Sequence, residues 1–471
     1  MATYLYQTVP SIEGEPVRTY EIRQSMRDAA LSEHPETKEA IRRVITGGLG
    51  IMTSSKGGST PPAPGGAAAA GAVPATDLDA GEQGLYTLRM MTRTLCFLLI
   101  FSLGLAARAE DAATITVRKG DRVSLAVTPL GGPAGPAVTK VLQNDLDLSG
   151  WFQLVPDARG SYLVGGTAAG GSLQGRVTDS SGAIILAKTY RGNDREVAHQ
   201  FADDIVETIT GNPGIATTKI AFVGTASGPK EIYFADYDGA SARRLTSDRS
   251  ISVAPSLGPG ARQLAYTGYH EGYPDVYVIE VASGARQRVV KAPGTNSGAA
   301  ISPEGGKMAL TMSKDGNPEI YLTGLRGGMA RRLTRTRGVE SSPTWSPDGS
   351  ELIYSSDQGG SPQLYRIGAG GGGARMLATG FAYCTDPSWS PDGKKVAFTV
   401  RSGGGFSVAV LELGGGAARV VASGQNPVWG RNSRHLIYSS GSNLNLLDLQ
   451  NGRTTTIVSG LGKVSEPTWS L

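Results

Sequence analysis

The sequence predicts a mainly β protein: a six-bladed β-propeller preceded by a small α/β domain and a short N-terminal appendage. Three observations predict it. The string "PTWSPDGSELIYSS" at residues 343–356 returns forty-four residues later as "PSWSPDGKKVAFTV". Aligned on Trp345, equivalent positions fall at Leu257, Ile301, Trp389, Trp429 and Trp469, with spacings of 44, 44, 44, 40 and 40. A second signature rides in the same frame, from "KEIYFADYDGASARRLT" through "PEIYLTGLRGGMARRLT" to "SNLNLLDLQNGRTTTIV". A period of roughly 40–45 residues holding four strands is that of a propeller blade.

Each part of the repeat has a local cause. Ser346-Pro347-Asp348-Gly349 suits a type I turn, with Pro presetting φ, Asp bonding the backbone and Gly closing without a Cβ clash. "ELIYSS" sets β-branched and aromatic residues among small polar ones, the pattern of a half-buried strand. The second signature is a hairpin: a Tyr- or Val-bearing strand, a Gly-rich turn and a basic outer strand. Six such units fit within a propeller domain at residues 213–471. "TKIAFVG" has the strand half of the repeat without its turn half, and the final "PTWSL" supplies an inner strand without a blade. The second is expected to complete the first and close the ring. Trp345, Trp389, Trp429 and Trp469 are expected to pack between blades. "DYDG" at 236–239 lacks the third acidic position and the distal Glu of a calcium loop, so it reads as a turn.

Upstream of the ring the composition changes four times. Residues 1–52 form a small charged unit, and residues 53–88 are a low-complexity linker that cannot build a core. Residues 89–109 read as a signal peptide. Arg89 and Arg93 flank two methionines, about thirteen apolar residues follow, and Ala107-Arg108-Ala109 offers a cleavage triplet. The run is short for a membrane span, which needs about 20 residues, so no stable span remains after cleavage. Cys96 precedes the apolar core and is no lipoprotein acceptor. A signal so far into the chain implies translation from Met90 or Met91, with residues 1–88 outside the native mature protein. Residues 110–212 are a mixed α/β domain. "AVTKVLQNDLDLSG" has helical spacing, and a hairpin turns at Ser180 to Gly182. A second helix follows, capped by Asn193 with Glu196 and stopped at Gly211. Val197, Phe201, Ile205 and Ile209 line its buried face, and His199 reads as structural.

Composition excludes several classes. The chain has 471 residues and a net charge of +4, spread over outer strands with no basic patch interleaved with aromatics, so no nucleic-acid partner is expected. Cys96 and Cys384 form no pair motif, and His34, His199, His270 and His435 lie far apart, so neither metal nor cofactor is expected. No Gly-x-Ser-x-Gly elbow is present, which argues against an enzyme.

Two resemblances add to this reading. In "MATYLYQT", "YEIRQSMRDAAL" and "IRRVITGGLGI", residues 1–52 resemble the FmdB family of small zinc-ribbon proteins. Thr8, Ser11, His34 and Thr37 stand where that family has its cysteines, so metal binding is not expected here. From about residue 90 onward, the order of signal peptide, α/β domain and six "WSPDG" blades resembles the TolB family of the Tol–Pal envelope system. "NDLDLSGWFQLV", "HQFADDIVETITG" and "SSDQGGSPQLY" carry the likeness. The resemblance implies a periplasmic, non-enzymatic adaptor serving outer-membrane integrity, cell division and protein import. It would bind Pal, the peptidoglycan-associated lipoprotein, through the propeller. It would bind TolA through a segment beginning "EDAATITVRKG", with Glu110, Asp111, Ile115 and Val117 in contact. Family Pal-contact positions fall at Thr295, Gly298, Ser341 and Ser342, without the family's usual histidine and glutamate. Asn296, Thr385, Asp386, Asn426 and Glu466 share that polar rim. Other readings are a general envelope scaffold, a carbohydrate-binding propeller or a propeller accessory to a peptidase.

Overall fold

Each repeat folds as one antiparallel four-stranded sheet, and six sheets stand in a ring. In this computed structural model residues 2–8, 19–24, 31–44, 122–156 and 160–471 are described. The linker, the signal-peptide segment and Glu110, Asp111, Ile115 and Val117 lie outside the described residues. We letter the strands of a blade A to D from the channel outward. Blade 4 shows the plan: A is Glu340–Trp345, B Glu351–Ser356, C Gln363–Gly368 and D Arg375–Met376. The "SPDG" turn joins A to B as its residues require. The Asp348 carboxylate accepts from Ser346 Oγ at 2.6 Å and Ser350 N at 3.0 Å, and Gly349 takes φ 70°.

The ring closes as the fragments at its two ends predict. Ser465–Trp469 is strand A of blade 1, antiparallel to Lys219–Gly224, with Glu231–Asp236 and Arg243–Arg244 outside it. Ser470 N donates to Lys219 O at 2.8 Å, and Lys219 N to Ser470 Oγ at 2.8 Å. A covalently open chain thus becomes a closed disc in which every A strand is paired with its B strand, and the edges left in each blade are the A strand at the channel and the D strand outside.

Apolar side chains on both faces of each sheet form the blade junctions. Leu352, Tyr354 and Trp345 of blade 4 pack on Ala309 and Ile320 of blade 3, and Phe398 and Trp389 of blade 5 pack on Ile353 and Leu364 of blade 4. The four tryptophans are nearly buried, as expected, and their indole N–H groups find partners. Trp345 donates to Ala300 O at 2.9 Å and Trp429 to Ser388 O at 3.0 Å, each in the preceding blade. Trp389 donates to Gly393 O at 3.1 Å, and Trp469 to Thr218 Oγ1 at 2.7 Å.

The α/β domain is a five-stranded sheet with two helices on one face. Helix α1 is Gly135–Leu148 and α2 is Asp194–Thr210. The capping box at α2 is complete: Asn193 Oδ1 accepts from Arg195 N and Glu196 N, and Glu196 reaches back to Asn193 N at 2.9 Å. Gly211 ends the helix at φ 68°. Val197, Phe201 and Ile205 are buried as its spacing predicts, whereas Ile209 is half-buried. Phe152–Val155, Val123–Val127, Tyr162–Ala169, Ser172–Asp179 and Ile184–Arg191 make up the sheet, in that spatial order. The core of this domain runs without a break into blades 6 and 1, through Ile220, Phe222, Ile437, Leu446 and Trp469.

At the N-terminus Ala2–Thr8, Thr19–Gln24 and Ile41–Val44 form a three-stranded sheet. His34 Nδ1 accepts from Glu36 N and Thr37 N, and its ring lies 4.2 Å from that of Tyr20. The imidazole therefore closes a local turn.

Candidate partner-binding face

Chain direction assigns the two faces of the disc. A–B and C–D turns lie on one, B–C and D–A connections on the other. The α/β domain occupies the first face at blades 6 and 1, held by charges. Arg195 of α2 forks onto Asp236 at 2.9 Å and Asp238 at 2.8 Å, in the "DYDG" turn. Arg431, in the A–B turn of blade 6, reaches Asp203 Oδ2 at 2.7 Å and donates to Gly214 O. Arg453 pairs with Asp147 at 2.6 Å, and Arg434 pairs with Asp448 while its guanidinium lies 4.0 Å from the Trp151 ring. At the centre His199 Nδ1 lies 2.7 Å from Asp145, which also accepts from Tyr237 Oη at 2.9 Å. Burial opposes the charged imidazole, but Asp145 and Asp236 together raise its pKa to about 9. Burial pushes the Asp145 carboxyl upward. His199 is structural, as its sequence context predicts, and serves the domain junction.

The opposite face carries the channel mouth, and its geometry repeats six times. Every A strand bulges at its third or second residue, which takes φ between 51° and 61°: Ala254, Gly298, Ser342, Asp386, Asn426 and Glu466. Register shifts accompany each, for instance between Ser341 and Thr344 and between Thr385 and Ser388. An extra residue in an inner strand bends it and turns a side chain out of the ladder. Neighbouring positions link up. Ser342 Oγ donates to Asp386 Oδ1 at 3.4 Å, Asn426 Nδ2 to Asp386 Oδ2 at 3.1 Å, and Ala254 N to Glu466 Oε2 at 2.7 Å. Gly298 N and Asn426 N are held by hydroxyls of Thr267 and Thr399 in the adjoining B strands.

Five of the nine rim residues expected from sequence are thus structurally equivalent. Ala254, the sixth member, has no polar side chain to attract notice, although it lies one period before Gly298. Ser341 and Thr385 precede bulges and are half-buried. Asn296 is different: it is fully buried, and its amide braces Ala292 O, Asp275 and Pro274 O, so its side chain supports the rim from beneath. Thr295 is nearly buried, with its N–H on Ser313 Oγ.

The chemistry of the mouth is acidic on one side. Burial pushes the Asp386 carboxyl up to about 7, opposed by the Thr399 hydroxyl and reinforced by the nearby Glu466. Glu466, itself raised by burial, leaves Oε1 without a partner. Among the described residues no three His, Cys, Asp or Glu side chains converge on a metal-sized point. The one free cysteine there, Cys384, is buried with its thiol 3.2 Å from Thr379 Oγ1. This arrangement suits a polar protein contact.

Fold and rim together define a class: a six-bladed β-propeller protein with an α/β domain fixed to one face. Residues 206–471 match the family model described as the TolB β-propeller domain, and the chain belongs to that family. A crystal structure of TolB from Acinetobacter baumannii superposes with a TM-score of 0.68 at 25% identity, covering 74% of this chain and 97% of that one. The Tol-Pal system protein TolB of Geobacter sulfurreducens is 36% identical over 163 residues, 33% of this chain and 37% of that protein. The TolB homolog of Chlorobium chlorochromatii is 31% identical over 189 residues, 32% of this chain and 43% of that protein. The chain thus spans well under half the length of these curated relatives. No helix among the described residues is long and apolar enough to cross a membrane.

Proposed function

We propose that this chain is a non-enzymatic periplasmic adaptor of the Tol–Pal system, binding Pal at the channel mouth and TolA through residues 110–117. The observation that carries the reading is the division of the two faces. One is occupied by the α/β domain, and the other presents six equivalent bulges, four of them with polar side chains. Shared architecture with a TolB structure over nearly its whole length supports it.

Its test is calorimetric titration of the purified protein with Pal from the same organism. Ser342→Arg, which puts a long cation into the mouth at a position already in the left-handed region, should weaken binding at least about tenfold, the loss of a single good contact. Absence of Pal binding by the parent chain, or a Ser342→Arg variant that binds equally well, would overturn the reading. Retention of Pal and loss of TolA after removal of residues 110–117 would separate the two contacts.

A further inference from the structure

The outermost strand of blade 3 (Gly327–Arg332) and its flanks read "RGGMARRLTRTR" over residues 326–337: five arginines and no acidic residue. The chain holds 45 Lys and Arg against 41 Asp and Glu, so this one segment contributes more positive charge than the whole chain's net +4. Only Arg332 is neutralised, by the buried Glu319 at 2.7 Å. Arg331 is exposed and donates to the carbonyls of Ala369 and Gly370, which leaves its charge uncompensated. Arg326, Arg335 and Arg337 are exposed and have no ion pair or hydrogen bond among the described residues. Asp357, across the D–A loop, is occupied by Val339 N at 2.7 Å.

The placement is as telling as the charge. Arg326 lies at the C–D turn and Arg335 and Arg337 at the D–A connection, so the cations run the full height of the blade along the convex edge of the disc. Met329 stands among them with 97% of its surface exposed, and Met376 of the next blade's outer strand is 58% exposed beside the exposed Arg375. Blades 3 and 4 lie across the ring from blades 6 and 1, which carry the α/β domain. A convex strip has no groove to enclose a peptide, and no aromatic side chain lies within residues 326–337 to stack on a base. It does fit a plane. Arginines meet headgroup phosphates while an unbranched apolar side chain enters the acyl boundary.

We propose that the outer edge of blade 3 docks on an anionic phospholipid bilayer, with Arg326, Arg331, Arg335 and Arg337 against headgroup phosphates and Met329 inserted. Docked this way, the disc stands on its rim with the channel mouth and the α/β domain both free.

Flotation of the full chain with phosphatidylcholine vesicles, with and without phosphatidylglycerol, tests it. The protein should float only with the anionic vesicles and should be released as salt shortens the screening length. Each juxtamembrane cation adds about fivefold to partitioning. The triple variant Arg326→Gln, Arg335→Gln, Arg337→Gln should therefore lose on the order of 100-fold, with an unchanged melting curve because these exposed side chains make no ion pair or hydrogen bond among the described residues. Met329→Ser should lose a further severalfold. Equal flotation with neutral vesicles, no flotation with anionic ones, or a triple variant that floats like the parent would overturn the proposal. So would capture of soluble polyglutamate by this strip without vesicle binding.

Discussion

Ring closure by the final strand makes Trp469→Ala the most demanding perturbation of this fold. The indole is 3% exposed and lies in the cluster that joins blade 6, blade 1 and the α/β domain. An aromatic of this size buries roughly 150–250 Å², and aromatic-to-alanine truncation in a core costs about 3–5 kcal/mol. Loss of the 2.7 Å bond from its Nε1 to Thr218 Oγ1 adds about 1 kcal/mol. Thr218 keeps its own donation to Ile215 O, so no buried donor is orphaned. The expected loss is therefore about 4–6 kcal/mol. A companion change isolates the contact. A Cβ on Gly430 would meet the Trp469 ring at 2.8 Å and nothing else as close, and Gly430 is not in the left-handed region. Gly430→Ala alone should cost about 1–3 kcal/mol by overpacking. In the Trp469→Ala background the ring is gone, and that cost should vanish. Urea unfolding of the four proteins gives the coupling directly, because the shared core makes the two domains unfold together. A coupling within about 0.5 kcal/mol of zero, as found for independent sites, would refute the placement of Trp469 against blade 6.

Burial pushes Glu340 up from 4.5 to about 7, with the neighbouring Glu319 adding to it; between those values the native state holds a proton that the unfolded chain has released. Stability should decline as pH rises through that window, and Glu340→Gln should flatten the slope of melting temperature from about pH 5 to about pH 8. Arg195→Met takes the arginine from Asp238 and leaves Asp236 with Lys219 and His199, and should lower stability by about 2 kcal/mol, less than breaking a fully buried pair because Arg195 is partly exposed. Arg195→Lys should restore little, since a point charge cannot serve both carboxylates, and the urea midpoints report both. Ala254→Gly removes a Cβ held at φ 51° and should gain about 0.5–1 kcal/mol, whereas Gly298→Ala should lose a similar amount.

What could be read from the sequence is what repeats or is local. A tryptophan every 44 or 40 residues, a turn whose Asp and Gly have assigned jobs, and a cap whose partners sit three residues apart all carry their own evidence. The domain junction does not. Asp145 meets His199 across 54 positions and Asp203 meets Arg431 across 228, and no spacing rule connects them. Asp236 and Asp238 were visible as a turn, yet nothing in "DYDG" says that an arginine from a helix forty residues earlier will close on it. Asn296 shows the converse case. A polar residue at the start of an A strand reads from sequence as a contact, but its amide nitrogen donates to three acceptors below the surface while its Oδ1 is buried without a partner among the described residues.

The mouth itself explains why its chemistry could be located but not read. At each bulge the ring requires only a left-handed backbone and two flanking ladder bonds; the side chain is turned out of the blade junctions and bears no core load. Ala, Gly, Ser, Asp, Asn and Glu therefore occupy one structural position without altering the disc. Glycine, asparagine and aspartate accept that conformation cheaply, whereas Ala254 and Glu466 are fixed there together, through the 2.7 Å bond from the amide of one to the carboxylate of the other. Geometry at this face is thus a property of the repeat, and its chemistry is a property of six residues that bond across neighbouring blades, as Ser342, Asp386 and Asn426 do. A ring of this kind can for that reason carry different side chains at its six bulges, as this chain does from Ala254 to Glu466, while the backbone that presents them stays the same.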